Sequence, residues 1–276
     1  MFLVALGLFG LLFGIGNSEV RRFENSAAND IRSRLAGEQR WVQVRTKLDP
    51  LEAIGGKVRS ATISARDFST DGLPLYTQPE LSTRGRLGEL KIALRNFELT
   101  GLQVDSLDAR IPDCRYDFGL AQRRGQMRLS RSGTGVGTVV VSQEKLAAFV
   151  LKRFPGITSL NLSLDNGLAT VEGDGRFVAF QTHVKIIGKL TAPNGNAIIL
   201  SDARVWIGDK EAAPAMADAV LKFLNPVLDL DRDLKLFGAL RVKEIVLEKG
   251  KLQASGGAII PNQPIGTWMR NFGLYF

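Results

Sequence analysis

The architecture hinges on Asp209–Ile260, DKEAAPAMADAVLKFLNPVLDLDRDLKLFGALRVKEIVLEKGKLQASGGAII. At 100° per residue, Met216, Ala219, Val220, Phe223 and Leu224 share one side of a helix and Leu221 widens it. Only Asp218 and Lys222 mark a wet edge. An apolar arc that wide predicts a helix nearly surrounded by other material. Burying Met216, Val220, Leu221, Phe223 and Leu224 would contribute on the order of 8–15 kcal/mol. Pro226 breaks the helix, and two alternating strands follow, turned at Glu248-Lys249-Gly250.

The same grammar recurs upstream. Thr134–Val141 reads as a strand leading into a helix, with Ser142 as N-cap, Glu144 in the first turn and Lys152 and Arg153 in the last. Leu146, Phe149, Val150, Leu151 and Phe154 give that helix a second wide apolar arc, and Pro155-Gly156 ends it. Four strands follow: Ile157–Leu164, Leu168–Val178, Phe180–Leu190 and Asn196–Ile207. The turns Asp165-Asn166-Gly167 and Pro193-Asn194-Gly195 predict hairpins, because Asn-Gly accepts the positive φ angles that tight turns require.

Nearer the N-terminus, Val20, Phe23, Ala27, Ile31 and Leu35 recur at helical spacing across Glu19–Leu35, with Arg21, Arg22, Arg32 and Arg34 outside the stripe. Trp41–Leu48, Lys57–Phe68 and Gly88–Leu107 alternate as strands, with a parity switch near Asn96 that predicts a bulge or turn. Arg115–Leu120 continues the alternation, placing Tyr116, Phe118 and Leu120 on one face. About ten short strands with tight turns are too many to lie flat. The expected fold is α+β, a strongly curved antiparallel sheet wrapped around two or three apolar or amphipathic helices. Residues 19–262 are expected to form one domain.

The 276 residues are 45% hydrophobic and 23% charged, ordinary values for a folded chain. The net charge of +8 favours an anionic partner. A lone cysteine, Cys114, excludes an internal disulfide and a Cys-rich metal site. Phe2–Gly16 is apolar but shorter than the roughly 20 residues of a membrane span. Residues 1–18 therefore read as an export signal or short anchor, which places the chain in the periplasm or cell envelope. Residues 263–276 form a tail carrying Trp268, Phe272, Tyr275 and Phe276.

No set of residues reads as a catalytic centre. Asp229-x-Asp231-x-Asp233 opens like a calcium loop, but the sixth and twelfth places hold Leu234 and Leu240 instead of glycine and glutamate. Gly133–Gly137 precedes a strand, whereas a phosphate loop opens a helix. His183, the only histidine, falls opposite Phe180, Val184 and Ile186 on its strand and so faces solvent. Arg115, Arg123, Arg124, Arg128 and Arg131 form the densest basic cluster and suit the clasping of phosphate oxygens. They equally suit a charged sheet edge that blocks aggregation. Aromatic residues are not interleaved with them, so nucleic acid is not an expected partner.

Three segments in order carry a resemblance: WVQVRTKLDPLEAIGGKVRSATISARDF, TVVVSQEKLAAFVLKRFPGITSLNLSLDNGLATVEG and AVLKFLNPVLDLDRDLKLFGALRVKEIVLEKGKLQASG. Their order resembles the LmeA-like phospholipid-binding family of bacterial extracytoplasmic proteins. The resemblance implies a curved sheet similar to tubular lipid-binding domains, a hydrophobic groove for acyl chains, no cofactor and no catalysis. Acyl chains would then lie against Leu146, Phe149, Val150 and Phe154, or against Val220, Phe223, Leu224 and Leu228. The five arginines would meet the head group, and the partner would be a phospholipid or an anionic membrane surface. The competing expectation is a membrane-tethered structural protein whose core is filled by its own side chains.

Overall fold

The computed structural model describes residues 20–49, 52–53, 55–124, 126–177 and 180–262. The expected signal or anchor (1–18) and the aromatic tail lie outside them. Residues 20–33 form the first helix, α1. Strands β1 (Trp41–Lys47), β2 (Lys57–Thr70), β3 (Gly85–Leu99) and β4 (Leu102–Tyr116) follow. Helix α2 (Phe118–Arg124), β5 (Leu129–Arg131) and β6 (Gly135–Ser142) lead to α3 (Gln143–Arg153). Next come β7 (Ile157–Asp165), β8 (Leu168–Phe177), β9 (Phe180–Thr191), β10 (Ala197–Ile207) and β11 (Lys210–Glu211). Helix α4 (Pro214–Leu224), β12 (Leu228–Asp229), β13 (Leu240–Glu248) and β14 (Lys251–Ala258) complete the order.

The fold is α+β, but its strands divide between two sheets where one was expected. The larger runs β1-β2-β3-β4-β6-β14-β13, with β5 on β4. The smaller runs β11-β10-β9-β8-β7, with β12 on β10. Helix α3 carries the chain from one to the other, and the closing hairpin returns to the first, where β14 pairs with β6. Pairing is also not wholly antiparallel, since β2 and β3 run parallel. The segment between them, with Pro74 and Pro79, is a crossover and not a hairpin turn.

Local signals held where the contacts are local. The Asp165-Asn166-Gly167 turn joins β7 and β8 in register, with Asn166 and Gly167 both at positive φ. Asn96 sits at φ 45° where the alternation of β3 slips. The glycine-rich run enters β6 beside β4. A Cβ on Gly133 or Gly135 would collide with the backbone carbonyls of Pro112 or Arg110, so close strand approach explains those glycines.

Three expectations fail. The alternation through Phe118 and Leu120 ends in α2, because Asp117 turns the chain and its carboxylate accepts the Leu120 N–H (2.8 Å). Ser142 stands at the N-cap of α3 but its hydroxyl makes no cap bond; its backbone N–H instead donates to Asp105 (2.6 Å). Helix α4 is not surrounded: Val220 and Leu224 are buried, but Met216 and Phe223 are 36% and 39% exposed. It packs on β10 along one side only. At its end Asn225 pairs with Leu200 like a strand neighbour, accepting its N–H (2.8 Å) and donating to its carbonyl (2.9 Å).

One continuous core joins both sheets, α1 and α3, through residues such as Phe68, Phe97, Leu146, Leu164 and Ile186. A second cluster, around Leu87, Ile111, Cys114 and Tyr116, fills one end of the larger sheet. Burial raises the Cys114 thiol above its ordinary pKa and pushes the Tyr116 phenol up to about 12. Tyr116 donates to the Gly56 carbonyl (3.0 Å).

Candidate functional site

The inward face of the larger sheet meets empty space. Alternation turns Ile63, Ala65 and Phe68 of β2, Ile92 and Leu94 of β3, and Val104 and Leu107 of β4 to one side. Val139 of β6, Val242 of β13 and Ala254 of β14 extend the same wall. Together they line a cavity of about 160 Å³. On the scale where a water needs roughly 10–15 Å³, that is room for several waters, yet every lining side chain is apolar. A cavity of this character stays dry or holds an apolar guest.

Two segments close the cavity. The first is a strap at Leu73–Leu75, held where Thr77 donates its N–H to Pro261 (2.9 Å) and Gln78 donates to Leu129 (2.8 Å). The second is the loop Leu230–Ala239, which turns Leu230, Leu234 and Leu236 inward. Its aspartates stabilise the loop itself. Asp229 accepts the N–H groups of Asp231 (3.0 Å) and Arg232 (2.9 Å), and Asp231 accepts that of Gly238 (2.7 Å) and Arg241 Nη1 (2.7 Å). Asp233 meets Arg153 at the end of α3. Among the described residues no cluster of His, Cys, Asp or Glu is arranged to hold a metal ion.

Beyond the strap lies a second, larger space of about 250 Å³ that shares Ile31, Ile63, Pro74 and Leu75 with the first. It is half polar. The α1 stripe reaches it through Phe23, Ala27 and Ile31, while Tyr76, Gln78, Arg34 and Arg128 supply polar groups. Glu24 holds α1 over the sheet by accepting from the Thr46 N–H (2.5 Å) and hydroxyl (2.9 Å). Asp30 stands between two arginines: its Oδ2 accepts from Arg34 Nη2 and from Arg128 Nη1, each at 3.1 Å. Burial raises the Tyr76 phenol above its ordinary pKa.

In the other direction the apolar cavity shares walls with a void of about 20 Å³, which in turn borders one of about 40 Å³ beneath β7–β10. A half-polar chamber, an apolar main cavity and two small apolar voids thus succeed one another through the molecule.

This geometry sorts the site residues expected from sequence. Leu146, Val150, Phe154 and Leu224 line the void of about 40 Å³ beneath β7–β10, and Leu228 lines the main cavity. Phe149 and Val220 are packed into the core. Phe223 meets the Phe154 ring at a tilt, with ring centres 5.8 Å apart, and stays exposed. Of the five arginines only Arg128 reaches the polar chamber. Arg115 and Arg131 lie on the outward face of the larger sheet, and Arg123 and Arg124 are exposed at the end of helix α2. Sequence reasoning missed Arg34 and the strand residues that form the main wall. His183 is exposed, as expected, and meets Asp174 (3.0 Å).

The LmeA-like phospholipid-binding family model matches residues 19–257. The chain belongs to this family. No curated protein and no solved structure matches it. The matched span of this LmeA-like protein contains both sheets, the strap, the loop and both arginines of the chamber. As its family description says, lipid is the partner class.

Proposed function

We propose that this LmeA-like protein is a non-catalytic phospholipid carrier or holder of the extracytoplasmic space. The observation that carries the reading is the succession of a half-polar chamber and a dry, wholly apolar cavity. A phospholipid has the same polarity sequence. Its acyl chain gains roughly 0.8 kcal/mol per methylene removed from water. In this reading the larger sheet is one wall of the container, and α1, the strap and the loop close its sides.

The head-group phosphate takes the place that Asp30 now holds. Two guanidiniums already converge there, and phosphate offers them more acceptor oxygens than a carboxylate does. Asp30 keeps the arginines oriented while the site is empty. Neutral lipids lacking phosphate gain only the apolar term. Lipid transfer and maintenance of the envelope are the roles this binding would serve.

Native mass spectrometry of the full chain, purified without detergent, tests the reading. Phospholipid masses should be retained or be taken up from vesicles. Ala65→Phe and Ala254→Phe each place a ring in the main cavity; retained lipid should fall several-fold while the fold stays intact, because vacant volume receives the ring. Protein that is lipid-free and acquires none from vesicles would sink the proposal. It would favour a structural module whose core is complete without a guest.

A further inference from the structure

The outward face of the larger sheet carries a second feature. Lys57, Arg86, Arg115 and Arg131 stand in cross-strand register on β2, β3, β4 and β5. Residues in register share a face, and like charges directly opposite one another destabilise a sheet. Lys57 has an ion pair with Glu52. No carboxylate among the described residues pairs with Arg86, Arg115 or Arg131. Farther along the same face, Arg45, Thr62, Lys91 and Arg110 form a second row that ends at Val136, which is 66% exposed. Among the acids nearby, Glu89 is bound to Lys91 and Asp108 to Arg95, and Asp113 lies between the two rows. A fold that tolerates a row of facing cations leaves their neutralisation to something outside the chain.

We propose that this face docks on an anionic lipid bilayer. It is a broad sheet surface, not a cleft, and its cations are spread over four strands, which fits a planar array of phosphates. Aromatic stacking platforms for bases are not set among them. The preference for lipid over other polyanions rests on the phospholipid reading above. Position supports it as well. Leu87 and Leu129, which line the polar chamber, are the inward neighbours of Arg86 and of the bulged Arg131 segment. Docking through the first row therefore sets the chamber end of the sheet nearest the membrane, with the sheet between the bilayer and both spaces.

The test measures co-sedimentation of the full chain with vesicles of phosphatidylcholine alone and of phosphatidylcholine with phosphatidylglycerol. The readout is the extra binding that phosphatidylglycerol adds. It should fall as salt rises. In Arg86→Gln/Arg115→Gln/Arg131→Gln it should fall on the order of 100-fold, given the usual gain per basic residue at an anionic surface. Removing facing like charges leaves the fold intact, as a thermal melt will check. Arg176→Gln/Lys189→Gln/Lys210→Gln removes the same formal charge from the smaller sheet and should keep most of the binding.

An undiminished increment in the first variant, equal losses in both, or tighter binding to a DNA duplex than to anionic vesicles would overturn the docking proposal. Phospholipid retained by the first variant should match the wild type. A wild-type chain that is lipid-free, yet loses its vesicle increment in the first variant, supports docking and removes the carrier reading instead.

Discussion

Asp105 shows how much can depend on one carboxylate. It sits on β4, accepts the Ser142 N–H (2.6 Å) and meets Lys145 Nζ (2.6 Å), so it fastens the start of α3 to the larger sheet. Burial pushes its pKa up, but the bonds from Lys145 and Ser142 outweigh that and hold it below the ordinary aspartate value. A depressed folded-state pKa means stabilisation that is complete above the unfolded value near 4 and is lost as pH falls through the folded one. Asp105→Ala should cost about 1–2 kcal/mol at neutral pH, the range for charge-assisted bonds discounted for partial exposure. Urea unfolding at pH 7 and pH 3 checks it: the gap between wild type and variant should narrow at the lower pH. Ser142 was legible in sequence as the helix start. Its real partner was not, because Asp105 lies far away along the chain and only the β4–β6 pairing brings it near.

At the scale of elements, local signals told most. The hairpins with Asn-Gly turns, the α3 boundaries and the α1 stripe all read correctly, since each is decided within a few residues. Helix α4 misled because periodicity reports which residues are apolar, not how much protein surrounds them. Its outer side meets solvent, so Met216 and Phe223 contribute less than the arc implied. The sequence of the loop Leu230–Ala239 argued against a calcium site, but its service as a cover over the main cavity was not legible. That cover depends on aspartates tied to its own backbone. Asp231→Ala removes the bonds to Gly238 and Arg241 and should speed amide exchange across Leu234–Leu240 several-fold, at a cost of about 1–3 kcal/mol. Hydrogen-exchange mass spectrometry reads the first effect and thermal melting the second. Unchanged protection would mean that the inward leucines alone hold the loop.

For the whole molecule, the least legible features are the non-local ones. Nothing in the alternation of Lys57–Phe68 and Gly88–Leu107 reveals that β2 and β3 run parallel, or that β7–β10 leave for a separate sheet. The cavity inherits that opacity, because its wall is assembled from strands that lie far apart in the chain. Those strands include β14, which sits between β6 and β13. A chain stopped after Ala239 keeps the smaller sheet's strands but leaves β6 unpaired on one side, with Val139 and Val141 beside an open cavity. Such an edge invites pairing with other chains. The truncated protein should be aggregated or oligomeric by light scattering where the full chain is not; a monodisperse monomer would contradict this account of the closing hairpin.

That same insertion sets a timetable. While a ribosome is still making the last strands, β6 lacks a neighbour and the main cavity lacks a wall, so the larger sheet cannot finish as the chain emerges. Long-range pairing of this kind is slow to form. Until β14 arrives to pair with β6, the edge of β6 stays open to other chains, so completion of the larger sheet follows synthesis of the hairpin instead of accompanying it.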